Sequence, residues 1–295
     1  MRIILDLLPF LCNLKSRLRF SVLSWTALRV PMVLEFFFQN YWEIIGDDIC
    51  NLVLHFLKGG NLPQGLSSQF LSLIPKIEND NEINLFRHVA LINTLYKVIT
   101  KIIACRLAPI SNKIVSSNQF GFLKGRSIQD FLVTASECIN LLKKPVHGGN
   151  IALKFDIKKA FENMDWGFLF KILSMFGFDE TFINWIKIIF ASARISVLIN
   201  GSPEGYFSYS RGVRQDDPLS AIIFSISEDY INRLFSIMAT NGRIKDIGVG
   251  HGLYAPTHLL YADDIILFTQ GDKRNIKNIK NDLLHYENVF GQQVI

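Results

Sequence analysis

Two neighbouring carboxylates, Asp263 and Asp264, sit in the stretch "HLLYADDIILF", between Leu259, Leu260 and Tyr261 on one side and Ile265, Ile266, Leu267 and Phe268 on the other. The flanks are apolar, β-branched or aromatic and lie about two residues apart, the pattern of a β-hairpin with a tight turn. Two ionised carboxylates about 5 Å apart repel by roughly 3 kcal/mol at an effective dielectric near 20. A chain keeps such a pair where a cation, usually a metal, neutralises it, or where the turn is simply solvated. A third carboxylate, Asp156, ends the apolar stretch "IALKF". If that strand neighbours the hairpin, the three acids converge at the strand ends and suit two magnesium ions bound partly through phosphate oxygens. The matching chemistry is in-line displacement at phosphorus. Capping of the following helix is the plainer role for Asp156 alone.

The elements that must position these acids can be read along the chain. Residues 1–32 show no clear period and are left unassigned. Val33 to Leu57 reads as two amphipathic helices around Gly46-Asp47-Asp48, and "KGGNLPQGLSSQF" as a turn-rich connector. "FLSLIPKI" is expected as a strand, "NDNEIN" as a polar loop, and "TLYKVITKIIACRLAPISNKIV" as a helix with Pro109 near its end. "SSNQFGFLKGRSIQD" is a loop entering a helix that finishes near "KKPVHGGN". After the Asp156 strand come a turn and helix, then a hairpin of "RISVLING" and "YFSYSRGV" joined by "SPEG". Pro218 suits the first position of a helix capped by Asp217. The acidic hairpin follows, then an amphipathic helix through "NIKNIKNDLLHYENVF". Irregular alternation of this kind implies an α+β fold with an antiparallel sheet under helices.

Composition narrows the classes. The 295 residues are 49% hydrophobic and 19% charged, which excludes a disordered chain. A net charge of +5 permits a polyanionic partner without demanding one. Cys12, Cys50, Cys105 and Cys138 form no C-x-x-C pair and read as free thiols of a reducing, intracellular compartment. Arg2 and the apolar residues after it imitate a signal peptide, but Asp6 interrupts them and no small-residue cleavage site follows. No uncharged apolar run approaches the ~20 residues of a membrane span.

"FDIKKAF", "RGVRQDDPLS" and "YADD", in that order, resemble the polymerase motifs of reverse transcriptases of non-LTR retrotransposons of the long interspersed type. "FLSLIPKI", "FRHVALINTLYKVITKIIACRL" and "NQFGFLKGRSIQD" resemble the same family's finger segments, so the likeness covers roughly residues 33–295. It implies the fingers and palm of a right-hand polymerase, with fingers over 33–155 and a palm over 156–295 whose antiparallel sheet is backed by helices. It implies an RNA-directed DNA polymerase working on an RNA template, a DNA primer and deoxynucleoside triphosphates, with two Mg2+ ions. By the same resemblance Asp156, Asp263 and Asp264 are the catalytic metal ligands, joined by the Ile157 carbonyl. Phe161 lies under the incoming sugar and excludes a 2′-hydroxyl, or is an ordinary core phenylalanine. Gln215 meets nucleotide and template, Arg87 and Lys97 bind triphosphate, and Arg126, after Gly125, sits near the template, unless these polar groups are merely solvated. Basic groups on a backbone would bind template and primer without regard to sequence.

The pattern is broken in places. Asp216 stands where the family has glycine, His88 where it usually has proline, and "SWTALRVPMVLEFF" lacks a Pro-Gly-rich loop. The sequence stops at "FGQQVI", before the family's lysine-bearing strand and thumb, and carries neither an endonuclease domain nor a zinc knuckle. These departures imply a truncated or decayed copy with impaired activity. A non-catalytic, nucleic-acid-binding remnant is the rival reading. A group II intron maturase shares "YADD" but fits the upstream segments less well.

Overall fold

The structure, a computed structural model, describes residues 37–38, 40–76, 85–248 and 255–295. The unassigned N-terminal segment and the polar loop expected over "NDNEIN" lie outside the described residues. The elements run α1 (Trp42–Leu57), β1 (Ser68–Pro75), β2 (Phe86–Ile92), α2 (Thr94–Ile114), α3 (Ile128–Leu141) and β3 (Asn150–Asp156). They continue with α4 (Ala160–Asn163), α5 (Trp166–Met175), α6 (Glu180–Ala191), β4 (Arg194–Ile199) and β5 (Ser202–Ser208). The last are α7 (Pro218–Thr240), β6 (His258–Tyr261), β7 (Asp264–Gln270) and α8 (Lys273–Phe290). None of these helices is long and apolar enough to cross a membrane.

The chain divides into two compact units, one of Met1–Ala104, Leu173–Ser210 and Arg214–Leu219, the other of Cys105–Ile172, Arg211–Val213 and Ser220–Ile295. In the first unit, β2-β1-β4-β5 form a mixed sheet in which β1 pairs antiparallel with β2 and parallel with β4. Its core holds Phe56, Tyr96, Phe182, Trp185 and Ile186, all nearly excluded from solvent. The break expected at Gly46 does not occur: α1 runs through it, because the Trp42 ring lies flat against that turn and a Cβ on Gly46 would come within 3.0 Å of it. Nor does "SPEG" make the second hairpin's turn. The chain reverses at Asn200 and Gly201, at φ 50° and 83°, and "SPEG" falls inside β5. Two positive φ angles mark a type I′ turn, the one whose twist matches a hairpin and for which Asn-Gly is the preferred pair.

The second unit is built on a three-stranded antiparallel sheet of order β3-β7-β6. One face of β7 carries Ile265 and Leu267, buried completely. On the other face α3 lays Phe131, Ala135 and Cys138 over Leu259 and Phe268. That helix starts at Ser127, whose hydroxyl accepts the Asp130 amide as an N-cap. Burial on both faces explains why the hairpin reads as nearly continuous apolar sequence. The outward residues of β3, Ala152, Lys154 and Asp156, remain exposed. The helix after Asp217 starts at Pro218 as its ring requires.

Candidate active site

Asp156 ends β3 and stands directly opposite Asp264 at the start of β7. The backbone N–H and C=O of Asp156 are both turned to Ile295, at 2.9 and 2.8 Å, so the Asp156–Asp264 pair is a non-hydrogen-bonded one. In such a pair the Cα atoms are about 4.5 Å apart and the side chains are at their closest. The Lys158 amide also pairs on that outer edge, with the Gln293 carbonyl. Backbone groups alternate along a strand, which aims the Ile157 carbonyl to the inner edge where β7 lies.

Asp263 belongs to the turn between β6 and β7. Tyr261 pairs with Asp264, leaving Ala262 and Asp263 as the two turn residues. Ala262 has φ 56° while Asp263 does not, the sign pattern of a type II′ turn, whose first position normally goes to glycine. An alanine in that conformation is strained by about 1–2 kcal/mol and persists only where its surroundings hold it.

The acids act on one another. Burial raises the Asp263 carboxyl above its ordinary range, and the neighbouring Asp156, Asp264 and Glu162 push it further in the same direction. Asp264 is held at 2.8 Å by the ammonium of Lys154, which lies on the same face of the sheet two residues before Asp156. The Lys154 pKa rises in consequence. Among the described residues no group of three His, Cys, Asp or Glu side chains is gathered as a ready metal cage. The donor set nevertheless suits a hard divalent ion: it is all carboxylate and carbonyl oxygen, and Asp263 carries a charge that its neighbours oppose. The residues fit such a cation, with Asp264 offering the carboxylate oxygen that Lys154 does not hold.

Phe161 lies just past Asp156 in α4 and is half-buried, its ring stacked on Phe224 at 4.4 Å and met edge-on by Phe122 at 5.8 Å. Its carbonyl accepts the Val213 amide at 2.7 Å. Arg126 does not present its guanidinium outward as expected of a template contact. It donates instead to the carbonyls of Ser116, Gln119, Asn112 and Val115, pinning the loop before α3. A planar fork of five donors suits that task, and burial lowers its pKa.

The other expected contacts belong to the first unit. Arg87 is exposed on β2, opposite Ile74 of β1. Lys97 is buried within α2 rather than displayed as a surface charge. Gln215 is half-buried in the loop before α7, beside Arg214, whose guanidinium covers the Tyr96 ring at 4.0 Å and donates to the Ser67 carbonyl. Asp216 follows at φ 63°. The turn itself, then, calls for glycine at this position, and aspartate is among the few other residues that tolerate the conformation.

Sequence reasoning missed Gln119. It is completely buried, and its Oε1 accepts the amides of Ala262 at 3.1 Å and Gly121 at 2.8 Å, while its Nε2 donates to the Ala262 carbonyl at 3.3 Å. The one available signal was a polar side chain among the apolar residues of "NQFGF".

Residues 74–293 match the family model described as reverse transcriptase (RNA-dependent DNA polymerase). Among curated proteins, the chain is 31% identical over 79% of its length to the transposon TX1 uncharacterized 149 kDa protein of Xenopus laevis. It is 26% identical over 75% of its length to the retrovirus-related Pol polyprotein from the type-2 retrotransposable element R2DM of Drosophila melanogaster. These matches span 17% and 20% of those relatives. Among solved structures, apo telomerase from Candida tropicalis truncated from its C-terminal domain superposes with a TM-score of 0.52 at 16% identity, over 79% of this chain and 50% of that one. Telomerase from the same organism in complex with a TWJ fragment of telomeric RNA gives 0.51 at 14%, over 82% and 42%. At these identities the structural likeness concerns the fold, that of polymerase fingers and palm.

Proposed function

Because the chain belongs to the reverse transcriptase (RNA-dependent DNA polymerase) family, we propose that it extends a DNA primer on an RNA template with deoxynucleoside triphosphates, inside the cell. The observation that carries the reading is the opposition of Asp156 and Asp264 across β3 and β7, with Asp263 in the adjoining turn. Asp156, Asp263, Asp264 and the Ile157 carbonyl would hold two magnesium ions. When bound, these supply acidity to the primer 3′-hydroxyl and neutralise charge on the phosphoryl and leaving oxygens. The residues themselves orient and select. Asp156 and Asp263 would hold the ions that meet the phosphate, and Lys154 holds one oxygen of Asp264 in an ion pair at 2.8 Å. Phe161, braced by Phe224, presents a ring that excludes a 2′-hydroxyl. Gln215 and Arg87 contribute contacts to nucleotide and template; Lys97, being buried, supports α2.

The test is primer extension on poly(rA)/oligo(dT) with purified protein and Mg2+, with Asp156→Asn as control. Extension that is lost in the control supports the reading; equal incorporation by both proteins, or none by either, overturns it. In an active chain Phe161→Val should relax the preference for deoxynucleotides over ribonucleotides, and an unchanged preference would assign the ring to the core. A second reading, a remnant that binds RNA and DNA without catalysis, is favoured by Asp216, which sets a negative charge beside Asp217 in the loop before α7. Binding of an RNA–DNA hybrid without extension would distinguish it.

A further inference from the structure

The turn that carries Asp263 is not held by its own sequence. Ala262 supplies neither the conformational freedom of glycine nor a side chain that bonds its own backbone, and its φ of 56° must be imposed from outside. The source lies in the segment before α3. Asn118 to Phe120 runs alongside β6, with the Leu260 amide donating to the Asn118 carbonyl and the Phe120 amide to the Leu260 carbonyl, both at 2.8 Å. Gln119 thereby arrives beside the turn with no solvent around it. Its amide closes a two-point clamp on one residue, taking the Ala262 N–H and giving to the Ala262 C=O. The second bond to its Oε1, from Gly121, keeps the carboxamide from rotating away. Gly121 completes the seat: a Cβ there would lie 2.3 Å from the Ala262 nitrogen. Arg126 holds the Gln119 carbonyl from behind.

We infer that Gln119 is a positioning residue for the catalytic turn, fixing Asp263 by clamping the Ala262 peptide groups on either side of its Cα. The inference rests on the polymerase reading for its consequence in catalysis, but the clamp is measurable without it. Gln119→Met keeps the side-chain length and removes every bond. It should expose the Ala262 amide to hydrogen exchange about tenfold faster and weaken Mn2+ binding, followed by electron paramagnetic resonance, several-fold. In primer extension it should lower kcat by about a hundredfold with the nucleotide KM little changed, the signature of a misplaced reacting group. Gln119→Glu keeps the acceptor for both amides and should restore most of the protection at Ala262. Gly121→Ala, with Gln119 intact, should reproduce the Met defects by displacing the turn, and it carries the test if the Met variant fails to fold. Unchanged exchange at Ala262 and unchanged Mn2+ binding in folded Gln119→Met or Gly121→Ala protein would overturn the inference. So would losses of kcat that only follow a lowered melting temperature. A wild-type chain that extends no primer would count against the polymerase reading alone, since exchange and Mn2+ binding still decide this one.

Discussion

The β4–β5 hairpin reverses through Asn200 and Gly201, both exposed and both at positive φ, while the β6–β7 hairpin reverses through buried Ala262 and half-buried Asp263. The first turn is made of residues that adopt its geometry unaided. The second is made of residues that do not favour its geometry, which is supplied by Gln119 and Gly121, far away in sequence. A turn that folds itself tolerates its surroundings, whereas a turn held from outside depends on them.

The largest effect that would separate the two is expected at Asp263. Asp263→Asn should reduce primer extension on the order of a thousandfold. It should leave the melting temperature level or slightly higher, because neutralising the side chain removes its repulsion with Asp156, Asp264 and Glu162. A parallel fall in activity and stability would show that this turn, too, is kept for folding.

Acidity sharpens the contrast, since the unit that carries the β6–β7 hairpin also buries titratable groups. Glu228 of α7, beside the Tyr286 hydroxyl at 3.2 Å, is pushed up to about 7 by burial. Its native form holds a proton that the unfolded carboxyl has lost. Stability is therefore lost as pH rises from about 4.5 to about 7, by about 3 kcal/mol. His258, at the start of β6, is pushed down to about 4 by burial. Its contribution runs the other way, gained as pH rises from about 4 to 6.5. The two act in opposite directions, so each masks part of the other in the wild-type chain. Glu228→Gln should uncover the histidine's rise, read as a melting temperature that climbs across that interval. Parallel profiles for the two proteins would sink the assignment.

Smaller changes follow at the turns. Gly201→Ala places a Cβ at φ 83° and should cost about 1–2 kcal/mol by urea denaturation. Ala262→Gly relieves the strain at φ 56° but loosens the unfolded chain, so a net gain under about 1 kcal/mol is expected. A gain at Ala262 accompanied by slower extension would show strain retained for function.

Much of the acidic site was legible because its signals are local. Apolar flanks two residues apart announced the β6–β7 hairpin, and Asp156 at a strand end announced its neighbour. Pro218 marked the start of α7 because its ring suits the first helical position. What escaped was set by contacts distant in sequence. Nothing in alanine announces a positive φ at 262, and nothing in an arginine of a polar loop announces four carbonyls waiting for it. Lys97 read as a surface charge because periodicity shows which helix face is apolar but not which polar residue the fold buries with it. Gly46 was misread for a related reason: glycine breaks helices by propensity, yet here it makes room for a tryptophan. The Asn200-Gly201 pair, by contrast, is itself a local turn signal, stronger than "SPEG", which falls inside β5.

The pairing of Gln293 and Ile295 with Lys158 and Asp156 has a kinetic consequence. The outer edge of the strand that ends in Asp156 is closed by residues 293–295, far downstream in sequence. Contacts so remote close slowly, after the local helices and the tight hairpins. On a ribosome, residues 293–295 emerge long after Asp156, and its backbone groups wait for them. The backbone around Asp156 is therefore completed after the local helices and tight hairpins have formed.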